Sequence, residues 1–300
     1  MIWNPSEGFD LGFFIVRYYS LMFVVAFALG WYITKRIFDN EEEPVEKLDS
    51  LFIWTVLATL LGARLGHVFF YDWEYFRNNP VEILLPFRFD PFEFVGFRGL
   101  ASHGAAIAII IAMYFFSKRV MKRSFLWVLD RVVIPIACGG VFVRIGNFFN
   151  SEIVGHPTNH PFGVKFVRDA YSNGEIVQTT GITNPDQAYA LLVSNPKFRD
   201  ILEAIPAKHP AQLYEAAGYI IVFAVLMYFY WRTSLRELEG FIFGAFLVML
   251  WSVRFLVEFV KESQGGFESA LGLFSTGQWL SIPFILVGIY MMLNSERPIE

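Results

Sequence analysis

Gly240-Phe-Ile-Phe-Gly-Ala-Phe-Leu-Val-Met-Leu-Trp-Ser-Val-Arg-Phe-Leu-Val-Glu-Phe259 is an apolar run interrupted only near its end, by Arg254 and Glu258. A helix rises about 1.5 Å per residue, so roughly 20 such residues cross the ~30 Å hydrocarbon layer of a bilayer. Six further stretches have the same character, at about 13–33, 51–70, 99–116, 126–146, 213–231 and 277–293. The composition agrees. Hydrophobic residues make up 55% of the chain and charged residues 17%, against about 25% charged in soluble domains. The 34 Phe and 8 Trp suit lipid contact and interfacial belts. The expectation is an all-α polytopic membrane protein with seven transmembrane helices, forming a single membrane domain over residues 1–300.

Basic residues set the direction of the spans, because cytoplasmic loops carry the excess of Lys and Arg. Lys35, Arg36 and Lys47 follow the first span. Lys118, Arg119, Lys122 and Arg123 lie between the third and fourth, and Arg232 and Arg236 between the fifth and sixth. Those loops are expected in the cytoplasm, which puts the N-terminus outside and the C-terminus inside. Of the outer segments, 71–98 is rich in Pro, Phe and charge and suits the interface, and 260–276 is a Gly-rich link. The largest, 147–212, reads as a small external head, with a strand over Phe162–Val167 and short helices over Pro185–Val193 and Pro196–Ala204.

Other features exclude whole classes. The net charge of −4 argues against a nucleic-acid partner. Cys138 is the sole cysteine; it lies mid-span without a basic neighbour and reads as core. No second His stands at metal-ligand spacing, so neither a metal nor a cofactor is expected. The N-terminal stretch lacks a basic n-region and a small-residue cleavage site, so no removable signal peptide is expected.

Polar residues gather in the outer third of the spans. From Gly240, Arg254 lies about 21 Å and Glu258 about 27 Å along the sixth span; from Leu51, Arg64 and His67 lie about 20 and 24 Å along the second. Arg144, Asn147 and Asn150 end the fourth. Tyr19 and His103 fall within about 9 Å of the outer ends of the first and third. His209, Gln212, Tyr214 and Glu215 mark the outer end of the fifth, and Gln278 that of the seventh. Snorkelling at helix ends is one account. It would place similar groups inside the cytoplasmic ends, where Leu, Val, Ile and Phe dominate. A shared outward-facing polar cavity fits better, since ionisable groups in a bilayer face the bundle interior or water.

The densest cluster is Arg144-Ile-Gly-Asn-Phe-Phe-Asn-Ser-Glu-Ile-Val-Gly155. A guanidinium fork with two amides at a membrane boundary suits an anionic lipid headgroup; a capped helix end accounts for the Asn residues equally well. Arg254 and Glu258 share a helical face and fit a structural ion pair, which beside a second Arg would also hold a guanidinium ready for phosphate. His103, between small residues, is either a proton acceptor or a helix-to-helix hydrogen-bonding group. Gly62-Ala-Arg-Leu-Gly66 reads as a small-residue packing face.

These segments resemble prolipoprotein diacylglyceryl transferases. The resemblance rests on Arg144–Gly155 and, in the same order as in that family, on Arg17-Tyr-Tyr-Ser-Leu-Met22, Gly62–Gly66, Ser102-His-Gly104, Lys208-His-Pro-Ala-Gln-Leu-Tyr-Glu215, Arg254–Glu258 and Ser275-Thr-Gly-Gln-Trp-Leu-Ser-Ile-Pro283. It covers roughly residues 9–293. Ser151 and Ala105 stand where the family usually has Gly, and Leu250 where a Tyr is frequent.

The resemblance implies transfer of the diacylglyceryl group of phosphatidylglycerol to the lipobox cysteine of a preprolipoprotein signal peptide, with release of glycerol 1-phosphate. The location it implies is the bacterial inner membrane, among membrane lipids. Arg144 and Arg254 would clamp the phosphate, with His103 as the base for the thiol. Asn147, Asn150, Glu152 and Tyr19 would orient the glycerol parts, and Glu258, Arg64, His209 and Gln212 would complete the substrate site. A transporter or lipid flippase with an outward-facing cavity is the alternative, though it would carry polar residues through both membrane halves. A retinal pump would need a Lys in the seventh span, which has none.

Overall fold

The computed structural model describes residues 1–12, 15–85, 87–89, 92–94, 99, 101–262 and 272–297. Seven apolar helices organise them, labelled here α1 (Tyr18–Asn40), α2 (Val45–Phe70), α3 (Ser102–Phe116), α4 (Phe125–Phe149), α5 (Ala211–Arg232), α6 (Phe241–Val257) and α7 (Thr276–Leu293). Each expected span falls on one of them. Six are long and apolar enough to cross a membrane, α3 being lengthened through a π-type turn to Met121; α6 is apolar but has only 17 residues. Its start is set by Gly240 at φ 88° and its end by a turn at Glu258. Large apolar side chains such as Ile53, Leu57, Leu60, Ile110 and Leu286 stand exposed on these helices, as lipid-facing residues should. The chain is a polytopic helical membrane protein.

Some boundaries differ from the expected ones. α1 begins later than residue 13, because Gly8–Asp10 and Ile15–Arg17 pair as an antiparallel hairpin before it. It runs on through Lys35 and Asp39, whose 2.9 Å ion pair supports the last turns. α3 begins after Gly99, whose φ of 74° leaves the helical region. The 260–276 link lies largely outside the described residues.

The structure divides into two compact units, Thr34–Arg131 and Met1–Ile33 with Val132–Glu300. In the smaller unit α2 packs on α3 through glycines. A Cβ on Gly104 would lie 2.3 Å from the Gly62 carbonyl oxygen, and one on Gly66 would lie 2.7 Å from the Gly104 Cα. The packing role expected of Gly62–Gly66 is thus met by backbone-to-backbone contact. At the other end Glu43 sits between Lys47 (2.6 Å) and Arg123 (3.1 Å). Burial pushes its carboxyl up, but the two cations outweigh this and hold it below the ordinary glutamate range.

In the larger unit α6 packs between α5 and α7. Gly244 and Gly288 let α6 and α7 approach: a Cβ on Gly288 would lie 2.6 Å from the Gly244 carbonyl oxygen. Between α4 and α5 the chain builds its own apolar cluster, from Val167, Ile176, Ala188, Tyr189, Leu192, Phe198 and Ile205. Helix Pro185–Ser194 and the turns at Pro196–Phe198 and Arg199–Ala204 match expectation. The expected strand shortens to Lys165–Phe166, parallel to Ile2–Trp3. A further helix, Asn173–Thr180, opens with a Ser172–Glu175 capping box, a signal the hydropathy reading passed over.

The glycine contacts generate a prediction. Gly104→Val should destabilise the protein by about 1–3 kcal/mol, the usual cost of overpacking, and lower its melting temperature in detergent. Gly174→Ala, with open space around the new methyl, is the control. An unchanged melt for Gly104→Val would refute the close approach of α2 and α3.

Candidate functional site

The last turns of α4 place Arg144 and Asn147 three apart, hence on one face. The guanidinium Nη1 of Arg144 donates to Asn147 Oδ1 at 3.1 Å. Asn147 Nδ2 donates to Glu152 Oε1 at 2.7 Å, and Asn150 Nδ2 to the same oxygen at 3.3 Å. One carboxylate oxygen thus gathers both amides, although five residues separate Asn147 from Glu152. The chain must reverse tightly after α4 for this to happen. It does so through Ser151 (φ 55°) and Ile153 (φ 61°), with Glu152 N–H donating to the Asn147 carbonyl at 3.1 Å.

Helix α5 closes the site from the other side. Gln212 Nε2 donates to the Glu152 carbonyl at 2.6 Å, and the buried Glu215 carboxylate pairs with Arg144. Side-chain exposures of 12% for Arg144 and 1% for Glu215 make this a desolvated ion pair. One turn beyond Glu215 on the same face, buried Tyr219 interacts electrostatically with Glu215, Arg144 and Arg254. Tyr219 therefore joins the two arginines that sequence reasoning singled out. Tyr19 completes the face: its ring fills the space a Cβ on Gly146 would need, at 2.8 Å, and it interacts electrostatically with Glu152 and Arg144.

Arg254 stacks over Trp251 with its guanidinium carbon 5.2 Å from the ring centroid. Its Nε is buried and has no hydrogen-bond partner among the described residues. The expected ion pair with Glu258 does not form. Glu258 turns instead to Lys261 at 3.3 Å, both side chains more than nine-tenths buried. The carboxylate lies where Gly277 leaves room; a Cβ there would come within 2.5 Å of it. Spacing alone favoured Arg254, but packing against α7 carries the carboxylate away. A cleft of about 300 Å³ borders this pair, lined by His156, Glu258, Lys261 and the segment 272–275.

His209 flanks the site. Its Nδ1 lies 3.2 Å from the Tyr214 hydroxyl, and its carbonyl accepts from Gly155 N–H at 2.9 Å. A side chain at Gly155 would strike the Val260 carbonyl at 2.4 Å and His209 Cβ at 2.6 Å. Next to it Lys208 reaches Asp169 at 2.8 Å and Glu262 at 2.9 Å. Burial pulls the Lys208 ammonium down, but the two carboxylates overcome this and raise it above the ordinary lysine value.

Tyr19, Arg144, Asn147, Asn150, Glu152, Gln212 and Arg254 thus assemble in one place, with His209 and Glu258 at its margins. Arg64 and His103 belong to the smaller unit. Arg64 is buried; its Nε donates to the Ile83 carbonyl at 2.8 Å, its Nη2 to the Glu82 carbonyl at 2.6 Å, and it lies 4.6 Å from the Phe76 ring centroid. His103 is exposed, beside Phe70 (5.2 Å) and Tyr71 (5.7 Å).

Residues 7–294 match the family profile described as prolipoprotein diacylglyceryl transferase. The chain belongs to this family. Relatives named phosphatidylglycerol–prolipoprotein diacylglyceryl transferase include one from Tolumonas auensis, 35% identical over 99% of this chain and 98% of the relative. One from Chloroherpeton thalassium is 33% identical over 99% and 95%, and one from Porphyromonas gingivalis is 36% identical over 94% and 89%. Family membership sets aside the transporter or flippase reading.

Two members of the arrangement escaped the sequence reading as such. Glu215 was visible as a polar residue at a span end, and its spacing from Gln212 put both on one face, but nothing local named Arg144 as its partner. Tyr219 resembles any interior aromatic.

Ser151, in the left-handed region with a buried Oγ that lacks a partner among the described residues, supplies the prediction for this site. Ser151→Gly should stabilise the protein by about 0.5–1 kcal/mol, because relief of left-handed strain exceeds the entropy a glycine adds to the unfolded chain. Thermal denaturation in detergent measures this, and a lower melting temperature would show that the hydroxyl makes a bond worth more than the strain.

Proposed function

We propose that this transferase moves the diacylglyceryl group of phosphatidylglycerol onto the lipobox cysteine of preprolipoproteins, at the outer face of the bacterial inner membrane. In this reading all seven helices span, with the basic loops cytoplasmic, the N-terminus outside and segment 147–212 as an external head. The acceptor sulfur attacks the glyceryl carbon that carries the phosphate. The carbon–oxygen bond breaks, a thioether forms, and glycerol 1-phosphate leaves with the bonding electron pair. The thiol proton passes to a base. Sulfur comes from the substrate, in keeping with an enzyme whose sole cysteine, Cys138, is buried.

The observation that supports this reading is that Arg144 and Arg254 both act electrostatically on the buried Tyr219, with the buried guanidinium Nε of Arg254 lacking a hydrogen-bond partner among the described residues. Glu215 balances Arg144 and the Glu152 carboxylate is taken up by two amides, whereas Arg254 has no carboxylate of its own among the described residues, so its guanidinium is the one left to meet an anion. That suits a phosphodiester and, more strongly, the phosphate monoester that develops as the bond breaks. Guanidinium forks bind such oxygens in bidentate fashion. In this account Asn147, Asn150, Glu152 and Tyr19 orient the glycerol hydroxyls, and Gln212 holds the Glu152 backbone. His209 and Glu258 frame the walls, Arg64 braces the 80–83 turn, and His103 takes the thiol proton. A free thiol pKa of about 8.5 leaves a minority of thiolate near neutral pH, so a base assists.

Mass spectrometry of a lipobox peptide incubated with phosphatidylglycerol and the purified protein tests the assignment. Arg144→Ala and Arg254→Ala should each reduce thioether formation about 100-fold or more, the usual effect of deleting a group that stabilises developing charge. Wild-type rates in both would dismiss the clamp. His103→Gln reports on the base alone: unchanged transfer would reassign the proton and leave the clamp standing.

A further inference from the structure

The Phe148-Phe149 pair sits between the two amides of the site, and both rings are held from outside α4. Tyr18 lies 5.0 Å from Phe149. Trp3 lies 4.3 Å from Phe148 and 5.8 Å from Phe149, centroid to centroid. Trp3 also donates its indole Nε1–H to the Phe148 carbonyl at 2.9 Å. That carbonyl belongs to the last turn of α4, where helical main-chain acceptors have no partner within the helix. It also receives Ser151 N–H at 3.1 Å. Trp3 therefore bonds at the point where the chain reverses toward Glu152.

The tryptophan is itself held in place. Ile2–Trp3 pairs in parallel with Lys165–Phe166, in the register Ile2 to Lys165 and Trp3 to Phe166. Its ring packs against the cluster of Phe148, Val154, Val164 and Phe166. Phe166 meets Phe148 edge-on at 5.8 Å. The strand, the indole and the two phenyl rings form a brace running from the segment between α4 and α5 to the turn that carries Asn147, Asn150 and Glu152. The reversal needs such a brace, since Ser151 (φ 55°) and Ile153 (φ 61°) both occupy left-handed backbone, which L side chains disfavour.

We infer that Trp3 is a positioning residue for the donor lipid: its indole bond to the Phe148 carbonyl and its tilted ring contact with Phe148 set the turn that presents Asn147, Asn150 and Glu152 to the glycerol end of phosphatidylglycerol. This rests on the proposed transfer reaction. It adds a residue that touches no substrate and acts through the loop. Trp3→Phe keeps a ring against Phe148 and loses the hydrogen bond, whereas Trp3→Ala loses both, so the two substitutions grade the effect.

The test uses the full-length protein in detergent micelles. Transfer to a lipobox peptide is measured at varied phosphatidylglycerol, and backbone hydrogen–deuterium exchange is followed separately. For Trp3→Phe the KM for phosphatidylglycerol should rise about three- to tenfold, and more for Trp3→Ala, with the KM for the peptide unchanged. Amides 150–152 should exchange faster in both variants, while peptides covering Ile176–Leu192 keep their protection. Trp3→Ala combined with Asn150→Ala should cost less than the product of the single effects, because both act on one element. The inference is overturned by an unchanged donor KM in Trp3→Ala. It is equally overturned by both KM values rising together with loss of protection over 176–192, which would mark general loosening. The exchange measurement involves no turnover. If wild-type protein yields no thioether product, the reaction is wrong; if exchange at 150–152 is unaltered in Trp3→Ala, the brace is wrong.

Discussion

The ion pair between Arg144 and Glu215 is the contact on which the site is built. Taking a guanidinium and a carboxylate out of water costs several kcal/mol each, and proximity offsets this only when the remaining donors and acceptors are also engaged. Here Asn147 accepts from the free arm of the guanidinium, whereas the Glu215 oxygens have no hydrogen-bond partner among the described residues and rest on the ion pair itself. The same contact ties the end of α4 to the start of α5, so the entire insertion between them must leave and return at a fixed place. Gln212, one turn before Glu215, uses that constraint to hold the Glu152 carbonyl.

Around this pair the chain places strained or close-packed backbone where polar groups must converge. The left-handed residues 151 and 153 turn the chain after α4, and Gly155 threads it between the carbonyl of Val260 and the Cβ of His209. Gly146 makes room for Tyr19, and Gly277 for the carboxylate of Glu258. Each small residue permits a neighbour's larger group to reach the site, which in a bilayer substitutes for the hydrophobic drive that packs soluble cores. Arg254 differs from Arg144 in being stacked on Trp251 without a carboxylate of its own among the described residues. Of the two guanidinium groups in this neighbourhood, Arg144 is paired with a buried carboxylate and Arg254 is not, because Glu258 goes to Lys261.

Hydropathy located seven apolar helices, six of them long and apolar enough to cross a membrane, because lipid imposes a strict length and apolarity on any segment that crosses it. It misplaced the ends of α1 and α3, where a hairpin and a left-handed glycine, not hydrophobicity, decide the start. It also missed Asn173–Thr180, an amphipathic helix of mixed composition whose only signal was the Ser172–Glu175 cap. Within the site, Arg144, Asn147, Asn150 and Glu152 could be read together because they lie within one short stretch. Arg254 stood out as a cation in an apolar run. Glu258 misled, since residues four apart on a helix are neighbours only if nothing outside the helix competes, and Lys261 does.

What the sequence determined alone is therefore the set of apolar helices, the family and the polar residues of the candidate site, because helix length and apolarity, signature stretches and isolated charges in apolar runs are local properties. The partnerships were decided in three dimensions: Glu215 with Arg144, Lys261 with Glu258, Tyr219 between the arginines, and Trp3 on the Phe148 carbonyl. These pairs lie 71, 3, 75, 35 and 145 positions apart in the chain. Which acceptor meets which donor depends on desolvation and on the room left by small residues on a facing helix, and neither is written in the order of the residues.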